Sequence, residues 1–192
     1  MEHVDAVLNF VPTGMIPTKR MTPHVPIDVH EIVEDVHAAY EMGITIVHLH
    51  ARDEVSGEPT CSAEIYARLI EGIRAFAKDL VVCVSLSGRT VQEFTQRAAP
   101  LELDGALKPD MGSLTLGSLN FPRAASVNAP EMIQRLATAM RLAPKCLSAT
   151  MVASACASAV RPVFFCVSSS NCSTRSRAVD SAKLACRGLA RL

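Results

Sequence analysis

The run Ile44-Thr45-Ile46-Val47-His48-Leu49-His50-Ala51-Arg52-Asp53 sets two imidazoles at positions i and i+2. Side chains on a strand alternate faces, so His48 and His50 point the same way with Cα atoms about 6.5–7 Å apart. At that spacing two ring nitrogens can converge on one divalent ion, each at about 2.0–2.1 Å. The same pair, taken alone, also fits two strand-end histidines bonded to protein neighbours. Leu49 faces the other way, into packing. Arg52 and Asp53 follow where the strand should give way to a loop. Arg52 is a candidate anion ligand or a structural ion-pair partner, and Asp53 a loop cap. Hydroxyls complete the set: Ser85 and Ser87 end a second apolar run, and Ser113 and Thr115 share a face of a third.

The elements that must position these groups alternate. Ala6 to Val11 reads as a buried strand, ended by Pro12-Thr13-Gly14, and Met15 to Pro26 as a proline-rich loop. Asp28 with Glu31 forms a capping-box pattern ahead of Val29, Ile32, Val33, Val36 and Tyr40 at helical spacing, and Gly43 stops that helix. The β-branched, apolar first half of the histidine run suits a strand buried on both faces. A second helix follows Thr60 or Ser62, with Ile65, Leu69, Ile70 and Ile73 facing inward. Leu80 to Ser85 is a third strand, Val91 to Ala99 is helical, Ser113 to Leu116 a fourth strand, and Pro130 opens a fourth helix. Four strand–helix alternations with short connections predict a parallel α/β architecture. No Gly-x-Gly-x-x-Gly or Walker-type loop follows the first strand, which argues against a nucleotide-binding doubly wound fold. Thr13, the histidine pair, Ser85, Ser87, Thr115 and Ser118 all fall at carboxyl ends of strands, where a (β/α)8 barrel builds its site.

The formal net charge of zero over 192 residues leaves no electrostatic footprint for nucleic acid or an anionic membrane. No apolar stretch is long enough to span a bilayer, and the opening residues do not read as a secretory signal. Before position 145 only Cys61 and Cys83 occur, neither in a Cys-x-x-Cys pair, so the expected setting is reducing and cytoplasmic. Composition breaks near Leu142. Asp180 is the only acidic residue after it, and the last 50 residues hold nine Ser, ten Ala and five Cys. Within that tail Val160 to Val167 is strand-like and Val179 to Leu189 could form a short basic helix.

Read together, Asn9-Phe10-Val11-Pro12-Thr13-Gly14-Met15, Thr22-Pro23-His24-Val25-Pro26, Ile46 to Asp53, Gly57-Glu58-Pro59-Thr60, Val84-Ser85 and Met111 to Phe121 resemble the β-keto acid cleavage enzymes, the family of the 3-keto-5-aminohexanoate cleavage enzyme. The resemblance runs from about Asp5 to Arg141. It implies a (β/α)8 TIM barrel, of which residues 1–142 would hold about the first four βα units. It also implies an activity that condenses a β-keto acid with acetyl-CoA to give acetoacetate and a new CoA thioester, with zinc or another divalent metal as cofactor. By the same resemblance His48 and His50 match the metal-binding histidines, and Ser85 a serine that contacts substrate and assists the reaction. Ser113 matches a hydroxyl position near the keto acid, with Thr115 beside it, and Arg52 could meet a carboxylate or a CoA phosphate. The partners implied are the small-molecule β-keto acid and acetyl-CoA, and full-length relatives are expected to be homo-oligomers.

Two departures stand out. Ile16 occupies the place where the aminohexanoate enzyme carries a glutamate that recognises the substrate amine, which argues against a cationic substrate. No Glu follows Glu131, so the family's third metal ligand, a late glutamate, has no counterpart here. The composition of residues 143–192 resembles a GC-rich gene read out of frame, with the break near Met140 to Pro144, and those residues are not expected to form a domain. The alternative to an enzyme is therefore a truncated gene product without catalytic activity. Amidohydrolase-type barrels also use a His-x-His pair, but on the first strand with further histidines downstream, whereas all six histidines here lie at or before His50.

Overall fold

In a computed structural model the chain is described over residues 7–121 and 125–142, with the backbone of two further strands at 147–152 and 163–167. The elements in order are β1 (Asn9–Phe10), α1 (Val29–Glu41), β2 (Ile46–Leu49), α2 (Ala63–Phe76), β3 (Val81–Val84), α3 (Phe94–Ala98) and β4 (Met111–Thr115). A small antiparallel pair, β5 (Leu119–Asn120) and β6 (Ala125–Ser126), then leads into α4 (Pro130–Leu142), β7 (Leu147–Val152) and β8 (Val163–Val167). The main sheet has the order β1-β2-β3-β4-β7-β8 and is parallel from β1 through β7.

The helix starts follow local chemistry. Asp28 Oδ1 accepts from the Glu31 amide at 2.8 Å, and Glu31 Oε2 accepts from the Ile27 and Asp28 amides at 2.9 and 3.4 Å. Lys19 bridges to Glu31 at 2.5 Å and helps hold its carboxyl below the usual carboxylate range. Ser62 Oγ caps α2 by accepting from the Ile65 amide. Caps of this kind contribute about 1 kcal/mol each. The fully buried Ile32 and Val36 of α1 and Leu69, Ile70 and Ile73 of α2 contribute roughly 1.5–3 kcal/mol apiece, so packing rather than capping holds the helices down.

The sheet separates two faces. Val47, Leu49, Val82, Val84 and Leu114 join the helices in the main core, while Ile46, Val81, Cys83 and Met111 form a small cluster on the opposite, luminal face. A Cβ on Gly112 would meet Leu86, Met140 and Leu101 at 3.1–3.2 Å, so this glycine lets α4 settle close against β4. At the amino ends, Asp110 pairs with Arg74 and accepts from the Val82 amide at 2.9 Å.

Three expectations shift. The first strand pairs only over Asn9–Phe10, and Val7, Leu8 and Val11 are 37–49% exposed, because β1 lies at the edge of the sheet. The third helix starts at Phe94, not Val91, since Glu93 turns back to cap it through the Gln96 amide at 2.9 Å. In the tail, β7 adds a fifth parallel strand beside β4, and the strand-like run is realised as β8, antiparallel to β7. The helix expected over Val179 to Leu189 lies outside the described residues.

Candidate metal and substrate site at the strand ends

β2 delivers the histidine pair as its alternation requires. His48 sits within the strand opposite Cys83 of β3, and His50 lies one residue past the last ladder position. The two rings meet edge to face with centroids 4.8 Å apart. Burial pushes the His48 pKa down to about 4. His50 is pushed to about 3, first by burial and then by the neighbouring His48 and the Arg52 charge. Both rings are therefore neutral near pH 7, the state in which an imidazole nitrogen carries a lone pair for a cation. His48 Nδ1 has a partner in Cys83 Sγ at 3.3 Å. His50 Nδ1 is buried and has no hydrogen-bond partner among the described residues.

The ladders also bring the hydroxyls level with these rings. β3 pairs with β4 through Cys83–Met111 and Val84–Gly112, and continuing that register by one residue sets Ser85 beside Ser113. Ser85 is buried, its amide donates to the Leu49 carbonyl at 3.0 Å, and its side chain lines a small recess together with His50, Met15, Cys61 and Ser87. Ser113 Oγ accepts from the Leu86 amide at 3.2 Å, which leaves its own hydrogen to donate. Thr115 is half-buried two residues further along the same face. Thr13, three residues past β1, is buried with a hydroxyl that has no partner among the described residues.

Arg52 lies close enough to His50 for its charge to act on that ring. It is 2% exposed, its Nη2 donates to the Pro17 carbonyl, and its backbone bridges to Pro59, so it pins the loop after β1 to the loop after β2. Its Nε has no hydrogen-bond partner among the described residues. Asp53 caps its own loop, accepting from the Ser56 amide at 2.7 Å and from the Ser56 hydroxyl at 2.8 Å. Ile16 is half exposed.

Sequence reasoning missed two supports. Tyr66 is fully buried, and its hydroxyl reaches the Leu49 and Ser85 carbonyls, both at 3.3 Å. Arg97, 1% exposed, donates from Nε and Nη2 to the Leu86 carbonyl at 3.1 and 2.7 Å, and from Nη2 to Asn128 Oδ1 at 2.9 Å. Asn128 in turn donates to the Gly117 carbonyl at 3.1 Å, joining the loops after β3 and β4. An arginine in a short amphipathic helix gives no hint in sequence that its head turns inward. Among the described residues no group of three or more His, Cys, Asp or Glu is arranged to hold a metal, so the pair stands without a third such ligand there. No helix among them is long and apolar enough to cross a membrane.

Comparison with known proteins gives this arrangement its context. The 3-oxoadipate:acetyl-CoA acetyltransferase of Cupriavidus necator is 39% identical over 137 residues, covering 70% of this chain and 45% of that protein. The 3-keto-5-aminohexanoate cleavage enzyme of Acetoanaerobium sticklandii is 35% identical over 104 residues, covering 54% of this chain and 36% of that protein. The chain thus spans less than half the length of these relatives. In fold it is similar to the apo structure of ObcA, with a TM-score of 0.58 at 18% identity over 68% of this chain and 30% of that one. The shared architecture is part of a (β/α)8 barrel. The family model for the beta-keto acid cleavage enzyme matches residues 5–145, with the histidine pair and the strand-end hydroxyls inside the match, and the chain belongs to that family.

Proposed function

We propose that residues 5–145 supply the amino-terminal part of a metal-dependent site for cleaving a β-keto acid with acetyl-CoA, giving acetoacetate and a CoA thioester. The observation that carries this reading is the meeting of His48 and His50 on one luminal face, with His50 Nδ1 buried beside Ser85 and unpartnered among the described residues. Two neutral imidazoles suit a divalent ion of the zinc class, and they are the residues that would hold it. Such an ion, when bound, supplies Lewis acidity toward a keto oxygen.

The remaining chemistry belongs to the chain. Ser85 is the catalytic hydroxyl of this reading. Buried level with Ser113, it can donate to an oxygen that gains charge, and little reorganisation is needed at that moment. Ser113 contributes its free hydrogen and Thr115 a second hydroxyl toward the acid. Arg52 adds positive charge near His50, and its Nε, without a partner among the described residues, is one donor for a carboxylate or a CoA phosphate. Ile16 favours a neutral or anionic acid, in keeping with the dicarboxylic 3-oxoadipate in the name of one relative. The scarcity of cysteine before position 145 is in keeping with a cytoplasmic setting. Full-length relatives are read as homo-oligomers.

The 192 residues by themselves are proposed to be inactive. The relatives extend well beyond the matched region, no Glu follows Glu131, and the Ser/Ala/Cys-rich segment 143–192 reads as an out-of-frame tail rather than a domain. The test is metal content and turnover of the purified chain. His48→Ala and His50→Ala should abolish what zinc binding there is, His24→Ala and His30→Ala should not, and no cleavage should be measurable with zinc added. Equal metal loss from His30→Ala would remove the pair from its role. Turnover near that of a full-length relative would overturn the inactivity.

A further inference from the structure

Cys83 is buried on the luminal face within the Ile46, Val81 and Met111 cluster, directly across the ladder from His48. Two contacts of its sulfur bear on the ring. The thiol donates toward the Val84 carbonyl at 3.9 Å, and the sulfur lies 3.3 Å from His48 Nδ1. When the thiol hydrogen turns to Val84, a sulfur lone pair is left to face the ring. A neutral imidazole carries one N–H, and the nitrogen facing an acceptor is the one that bears it. The other nitrogen, Nε2, is then bare.

We propose that Cys83 is a positioning residue that holds His48 in the Nδ1–H tautomer and so makes Nε2 the donor offered to a cation in the lumen. The inference rests on the metal reading of the His48–His50 pair. Histidines that ligate metals donate their other N–H to an acceptor, and that partner fixes both ring orientation and basicity. Cys83 does this for His48, whereas His50 Nδ1 has no partner among the described residues. A cysteine that merely filled space between Ile46, Val81 and Met111 would have no effect on the ring.

The test uses the whole chain with 15N-labelled histidine, free of metal. Imidazole nitrogen resonances should show His48 as Nδ1–H in the parent and in Cys83→Ser, which keeps an acceptor. They should show loss of that single tautomer in Cys83→Ala and in Cys83→Val, which keeps the packing volume. Zinc affinity, read by competition with a chromophoric chelator, should fall about 10–100-fold in the Ala and Val variants and recover in the Ser variant. An unchanged tautomer in Cys83→Val would overturn the inference. So would a sulfur-to-cobalt charge-transfer band on adding Co2+ that vanishes in Cys83→Val, because Cys83 would then be a ligand itself. A Cys83-dependent tautomer in a chain that binds no zinc would sink the metal reading and leave the tautomer assignment standing.

Discussion

The Tyr66 hydroxyl stands 3.3 Å from the carbonyl oxygen of Ser85 and 3.3 Å from that of Leu49. It thereby ties the carboxyl ends of β2 and β3 at the level where His50 and Ser85 share a recess. Burial raises the phenol pKa far above its ordinary value, so the group is a neutral donor throughout the working pH range. Tyr66→Phe keeps the ring and removes the tie, and should lower stability by about 1 kcal/mol. Tyr66→Ala leaves a cavity as well and should cost about 3–5 kcal/mol. Urea denaturation of the two variants checks both, and an unchanged stability in Tyr66→Phe would show that the hydroxyl contributes nothing.

Acid should unfold the metal-free chain in a window set by the luminal histidines. Their folded pKa values, about 4 for His48 and about 3 for His50, lie below the ordinary value of 6.5. The unfolded chain therefore binds protons first. The stability concerned is fully present above about pH 6.5 and is lost as the pH falls from there toward the folded values. The carboxylates with lowered pKa, Glu31, Asp53, Glu54 and Glu93, lose their contribution only below their ordinary values of 4.5, or 3.8 for Asp53. A fall in the urea midpoint between about pH 6.5 and about pH 5 that is much reduced in His48→Gln, which has no titrating ring, is the expected signature. A flat midpoint over that window would contradict it.

Gly88 is a second point of strict packing. A Cβ there would lie 2.5 Å from Arg97 Nη1 and 2.8 Å from Arg97 Cζ. The guanidinium cannot easily yield, because Leu86 and Asn128 hold it. Gly88→Ala should therefore cost about 1–3 kcal/mol. Adding Arg97→Met, which removes the rigid head, should return part of that loss relative to Arg97→Met alone. Full additivity of the two substitutions would show that the clash is avoided some other way.

Ile16 should set substrate charge. A hybrid that joins this chain to the carboxyl-terminal part of a full-length relative should prefer a neutral or dicarboxylic β-keto acid over 3-keto-5-aminohexanoate, and Ile16→Glu should shift the ratio toward the amine by about tenfold or more. Formation of the CoA ester from acetyl-CoA and a panel of keto acids measures it. A strong preference of the unsubstituted hybrid for the amine would refute the role given to Ile16.

Much was legible in the sequence because it is written in local periodicity and local caps. Asp28 with Glu31, and Ser62, start the helices where their side chains can bond the first free amides. The i, i+2 spacing alone put His48 and His50 on one face, and the order of motifs carried the family. The match between Ser85 and Ser113 needed the register of β3 on β4, which no single strand encodes. The inward turn of Arg97, the Tyr66 tie and the contact of Cys83 with His48 likewise needed the fold. Each joins residues between 11 and 35 positions apart through an acceptor that a neighbouring element supplies. The sequence by itself determined which residue types stand at the strand ends. Only the tertiary structure decided which polar atoms there are satisfied by protein, as at His48 Nδ1, and which are left open, as at His50 Nδ1, because burial and partnering are properties of packed neighbours rather than of spacing.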